Sequence, residues 1–136
     1  MRRTTLKNGD DGLSDSLGIQ TGADKHWNTS RYMGAQCGLG RPATEWILDQ
    51  GVRAIGIDAW GIDRPAAAMV EAYENGDKSA LWASHFLGRE REYLHIEKMA
   101  NLDTLPKPTG FKLCAFPVKV DKGSAGWTRA VAIIEE

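Results

Sequence analysis

The chain is short of the residues that would make its chemistry easy to read. It has two cysteines, Cys37 and Cys114, far apart and without the paired spacing of a metal-binding motif. They weigh against a disulfide scaffold and read as free thiols of a reducing compartment, so the expected location is cytoplasmic. No apolar run approaches the ~18 residues of a membrane span. The start, Met1-Arg2-Arg3 with Lys7, is too short and too polar for a secretory signal peptide. With 17 basic residues spread among 18 acidic ones, there is no basic stripe to hold a nucleic acid. Histidine is scarce as well, with only His26, His85 and His95.

What is present suffices for one domain. Of the 136 residues 42% are hydrophobic, five of them tryptophans, enough for a single core. Residues 1–20 carry little pattern: Lys7-Asn-Gly-Asp-Asp-Gly-Leu-Ser-Asp-Ser-Leu-Gly18 is turn chemistry. This stretch is expected to be irregular, disordered or rebuilt, with a short strand closing over residues 19–22. Trp27 and Tyr32 are aromatic anchors in an otherwise exposed loop.

Regular patterning begins at residue 41. Pro42 suits a first helical position, Ala43, Trp46 and Ile47 follow at helical spacing, and Gly51 fits a left-handed cap. Val52 to Asp58 is a β-branched run ending in an acid, as in a buried strand that feeds a loop. Residues 65–75 and 79–86 read as two further helices. Residues 111–120 and 128–134 read as strands around the turn-rich Asp121-Lys-Gly-Ser-Ala-Gly126, with Pro117 marking an edge or bulge. The order is that of an α/β protein.

One stretch collects metal-ligand chemistry. His85, His95 and Glu97 lie close together in sequence, and imidazole with carboxylate suits zinc or manganese. His85 is a ligand or a hydrogen-bonded structural residue. Two positions apart in an extended chain, His95 and Glu97 share a face. His95 is thus a third ligand, a partner behind the ligands, or a solvated strand residue. Glu97 has the alternative role of stabilising a helix N-terminus. Asp58 and Asp63 flank Ala-Trp-Gly-Ile; an acid after a buried strand lines a site or caps its own turn. Ser124 lacks a neighbouring base and the setting of a nucleophile elbow, and Gly38-Leu-Gly40 is too sparse for a phosphate loop.

Gly51-Val-Arg-Ala-Ile-Gly-Ile-Asp58-Ala-Trp-Gly-Ile-Asp63-Arg-Pro65 resembles the central strand-and-loop signature of the cyclase family of metal-dependent hydrolases, which includes kynurenine formamidase and isatin hydrolase. The pair His85 and Glu97, then Asn101-Leu-Asp-Thr-Leu-Pro106, Phe116-Pro-Val-Lys119 and Ser124-Ala-Gly-Trp-Thr-Arg-Ala-Val-Ala-Ile133, is similar to that family's C-terminal half. The resemblance runs from about Thr21 to Ile133. It implies a mixed β-sheet with packed helices, of the family's swivelling β/β/α type. It further implies a zinc- or manganese-dependent hydrolase of amide or lactone bonds, of the arylformamidase or cyclic-amide class of tryptophan and kynurenine catabolism. His85 and Glu97 would be metal ligands, and His95, Asp58 and Trp60 second-shell or pocket residues. No catalytic acid or base is assigned.

The family's His-x-Gly-Thr-His-x-Asp-x-Pro motif, which supplies its other ligands, has no match here. The reading is therefore of residues 21–136 as a C-terminal half-domain behind a truncated or rebuilt N-terminus, inactive alone. Its partners would be a small amide or lactone substrate, a second copy, or a complementing N-terminal half. The alternative is a catalytically silent fragment or protein-interaction module. A missing half also predicts an unpaired sheet edge at Val52–Asp58 or Phe111–Val120.

Overall fold

A computed structural model describes residues 2–6 and 16–134. In chain order the elements are β1 (Arg2–Leu6), β2 (Ser16–Gln20), α1 (Arg41–Asp49), β3 (Ala54–Ile57), α2 (Ala66–Glu74), α3 (Ala83–Leu87), β4 (Leu94–Ile96), β5 (Phe111–Pro117) and β6 (Thr128–Ile134), with short 3-10 turns between them. The expected mixed α/β architecture is what forms. A four-stranded sheet runs β1-β2-β3-β4, with β1 antiparallel to β2 and the other three strands parallel; β5 and β6 make a separate antiparallel pair.

Parallel strands are covered on both faces, which demands continuous apolar runs. Leu17 and Ile19 of β2 and Ile55 and Ile57 of β3 meet that demand and join Ile47, Leu48, Ile62 and Leu87 in one core. Each such side chain stabilises the fold by roughly 1.5–3 kcal/mol as it leaves water. Helix α1 presents Thr44, Ile47 and Leu48 to this core, whereas Trp46 is exposed. It stops at Gln50, and Gly51 takes the left-handed conformation expected of it.

Three expectations need correction. The pattern-poor start contains strands β1 and β2, and β2 begins at Ser16 rather than Ile19. Its alternation is hidden because residues 16–19 are buried on both sides, leaving no polar face to mark a strand. The helix expected over residues 79–86 splits into a 3-10 turn, Lys78–Ala80, and the short α3, because Trp82 adopts φ 51° and ψ 37° between them. Finally, β3 is no edge: β2 and β4 pair with it on either side.

The β5–β6 hairpin keeps the expected boundaries within a few residues. Its register pairs Phe111 with Ile134, Cys114 with Val131 and Phe116 with Arg129. One face is partly covered, with Phe111 buried and Leu113, Ala115, Ala130 and Ala132 half-buried. On the other, Phe116, Val131 and Ile133 are exposed, as is Trp127, which pairs with Val118 just beyond the strands.

Candidate metal centre

The parallel strands bring their carboxyl ends to one edge of the sheet, where open α/β folds place their sites. Asp58 follows β3 and Glu97 follows β4. Beyond β4 the pairing continues for one step, as Lys98 N–H donates to Ala59 O and Met99 N–H to Ile57 O, both at 2.9 Å. Lys98 enters this turn with φ 58°. Glu97 is thereby aimed at the loop after β3. Its Oε1 accepts the Ile62 N–H at 2.9 Å. Glu97 stands at the end of a strand, not at the start of a helix.

The loop over residues 58–64 is clamped from its other side. Leu39 N–H donates to Ile62 O at 2.7 Å, and the Gln36 amide donates to Asp63 O at 2.9 Å while accepting from Gly61 N–H at 3.2 Å. Gly38 makes this approach possible. At φ 63° it has no Cβ, which would otherwise lie 2.1 Å from Asp63 O.

Asp63 is the residue that organises the centre. It is almost wholly buried; Oδ1 accepts the Ser84 N–H at 2.6 Å and Oδ2 meets His85 Nδ1 at 2.5 Å. Burial pushes its carboxyl up, but the bonds from His85 and Ser84 outweigh this and hold it below its ordinary value. The same bond raises His85 against the opposing effect of burial. With Nδ1 engaged, Nε2 of His85 faces Glu97 Oε1 at 3.7 Å. Helix α3 is held in turn by Ser84, whose hydroxyl meets Thr44 Oγ1 of α1 at 2.9 Å, and by Tyr93, whose hydroxyl donates to Ser84 O at 2.7 Å. Burial, with the nearby Asp63 and Glu97, pushes the Tyr93 phenol up to about 12, so it remains a donor.

His95 completes the group. Its Nε2 lies 3.8 Å from Glu97 Oε1, and its ring meets that of His85 edge-on with centroids 4.7 Å apart. One ligand atom from each of His85, His95 and Glu97 lies within 4.8 Å of the others, a donor set that fits a divalent metal. Burial lowers the His95 pKa while Glu97 raises it, and the net shift is downward.

The remaining sequence candidates lie around this cluster. Asp58 is fully buried and accepts from Thr21 N–H at 2.8 Å, Thr21 Oγ1 at 2.6 Å and Gly22 N–H at 2.7 Å; it fastens the turn after β2. Trp60 is half-exposed, with Tyr32 edge-on at 6.0 Å and the Lys98 ammonium 4.6 Å above its ring. That ammonium also stands 3.7 Å from Glu97 Oε2. His26 closes the 3-10 turn Ala23–His26. Sequence reasoning left Asp63 without a role and missed Gln36, Ser84, Tyr93 and Lys98. The signal for Asp63 was a repeat: Gly-Ile-Asp occurs at residues 56–58 and again at 61–63.

Fold and site thus describe an α/β protein with a carboxylate–histidine cluster at the ends of its parallel strands. Residues 5–64 match the Cyclase family model, described as "Putative cyclase". The structure is similar to one described as the "Crystal structure of an isatin hydrolase bound to product analogue thioisatinate", with a TM-score of 0.66 and 24% identity. That likeness covers 88% of this chain and 45% of the other, so the chain spans less than half of that relative's length. No curated protein sequence matches significantly. The resemblance to the cyclase family therefore stands, on sequence over residues 5–64 and on fold over most of the chain. It reaches back across the stretch read as rebuilt, whereas His85, His95 and Glu97 lie outside the residues matched in sequence. Among the described residues no helix is long and apolar enough to cross a membrane.

Proposed function

We propose that this chain carries part of the metal centre of a hydrolase that opens amide or lactone bonds, of the arylformamidase or cyclic-amide class. The observation that carries the reading is the Asp63–His85–Glu97 arrangement, with a buried carboxylate fixing one imidazole nitrogen while the other faces a second carboxylate. Metal-bound histidines are commonly oriented in this way. A divalent ion, zinc or manganese, would be held by His85 and Glu97 and would supply a Lewis acid for a carbonyl oxygen and a lowered pKa for water.

The chain's own residues prepare that chemistry. Asp63 keeps the proton on Nδ1 of His85 and leaves Nε2 for the ion. Ile62 N–H orients the Glu97 carboxylate. Trp60 offers an aromatic surface beside the cluster, and Lys98 a positive charge for the carboxylate that hydrolysis of an amide or lactone releases. Groups beyond this cluster that turnover requires would come from a second copy or a complementing polypeptide. The isatin hydrolase likeness makes isatin the first substrate to assay, with zinc or manganese added. Turnover abolished by both His85→Ala and Glu97→Ala is the expected result; turnover unchanged in both would sink the reading.

The second reading is an interaction module, and one observation favours it. Phe116 and Trp127 are about 80% exposed on a hairpin face that also bears Val131 and Ile133. Contiguous apolar surface of this kind marks contact sites more often than plain solvent-facing sheet.

A further inference from the structure

We propose that His95 is itself a ligand, so that His85, His95 and Glu97 bind one divalent cation of the zinc class with no ligand from outside this chain. The inference deepens the reading of His85 and Glu97 as ligands and rests on it. Three observations carry it.

The first is spacing. Nε2 of His85 and Nε2 of His95 stand 3.7 and 3.8 Å from the same carboxylate oxygen. These separations are too long for hydrogen bonds. They are also too short for a water molecule between the partners in line. Donor atoms sharing an ion at about 2.1 Å stand about 3.4 Å apart in a tetrahedral arrangement, so small side-chain rotations bring this set to bonding distance.

The second is an incomplete hydrogen-bond account. His95 is half-buried, and among the described residues neither of its ring nitrogens has a hydrogen bond within the protein. A half-buried imidazole held edge-on to His85 and tilted against Tyr93, yet unbonded, has its lone pair available. The third is rigidity on both sides. His95 and Glu97 project from one face of the chain at β4, in register with the buried Ile55 of β3, while His85 is anchored through Asp63. Two imidazoles and one carboxylate on fixed elements form a three-ligand zinc site that leaves a fourth position open.

Zinc titration of the full chain by calorimetry, with variants, tests this. One zinc per chain is expected for the wild type. His95→Ala is expected to weaken binding more than the ~10–100-fold that loss of an outer hydrogen-bonding partner costs. The denaturant midpoint without zinc serves as the folding control, and His95→Gln as a second variant of closer volume. In the wild type, zinc should also move the 15N resonance of His95 Nε2, which a merely structural His95 would not show.

If His85→Ala and Glu97→Ala lose zinc while both folded His95 variants keep wild-type affinity, the third ligand is refuted and the hydrolase reading stands. If the wild type takes up no zinc, the self-sufficient site is refuted, and isatin turnover alone judges the hydrolase reading. If zinc binds equally well to all the variants, both readings fall.

Discussion

Asp63 Oδ2 lies 2.5 Å from Nδ1 of His85, and this contact decides which face of the imidazole looks toward Glu97. The carboxylate is buried and the ring is one-third exposed, so the anchor sits beneath the cluster and the working nitrogen at its surface. Replacing the anchor tests this division. Asp63→Asn retains the size of the side chain but leaves Ser84 N–H and His85 with a weaker acceptor. Hydrogen bonds to charged groups contribute about 1.5–3 kcal/mol, and a loss in that range is expected in urea unfolding. His85 should also titrate at lower pH in NMR, because its main cause of elevation is gone.

The same pair sets a pH dependence of stability. His85 is raised above its ordinary 6.5, so its contribution is complete below that pH and is lost as pH rises through the raised value. Asp63 is lowered below its ordinary 3.8, so its contribution is present above that pH and is lost as acid carries pH through the lowered value. The stability difference between wild type and His85→Phe should therefore be largest between about pH 4 and 6.5 and shrink towards pH 9. A difference that grows above neutrality would contradict the assignment.

Glu97→Gln removes a negative charge that raises both His85 and His95. Both histidines should titrate lower in this variant. The neutral amide oxygen can still accept from Ile62 N–H, so unfolding midpoints should move little, by about 1 kcal/mol or less. NMR titration of the metal-free protein reads both effects.

Gly38→Ala probes the clamp on the loop over residues 58–64. A Cβ at this position meets Asp63 O at 2.1 Å and carries the further penalty of φ 63°. A loss of about 2–3 kcal/mol is expected. Because the obstructed atom belongs to Asp63, the His85 titration should shift as well, whereas alanine at Gly51, with nothing within 4 Å, should cost only about 1 kcal/mol.

The hairpin face is tested by polarity. Phe116→Ser combined with Trp127→Ser should change the unfolding free energy by about 0.5 kcal/mol or less, since both side chains are largely exposed. Binding of an apolar dye and self-association in ultracentrifugation should fall together if this surface is sticky.

Much of the fold was legible where local chemistry is strong. Pro42 and Gly51 bracket α1, the β-branched run gives β3, and the turn at residues 121–126 fixes the hairpin. Strand β2 was obscured because strands buried on both faces carry no alternation, and Trp82 breaks a helix at a position where its residue type predicts no left-handed turn. For the site, the spacing of His95 and Glu97 conveyed their common face. The repeated Gly-Ile-Asp marked Asp63 as a candidate, but its partner His85 was not legible, because the contact depends on α3 folding back over the loop after β3, a tertiary event that no local pattern encodes.

Every donor and anchor in the cluster comes from the chain between Ile62 and Glu97. Closing such loops costs little entropy, because that cost rises only as the logarithm of their length. None of these contacts involves the β5–β6 hairpin, whose first strand begins only at Phe111. On refolding, the centre can thus order without waiting for the two hairpin strands to pair, and a cation in the surrounding solution needs only this one segment to find its donor set.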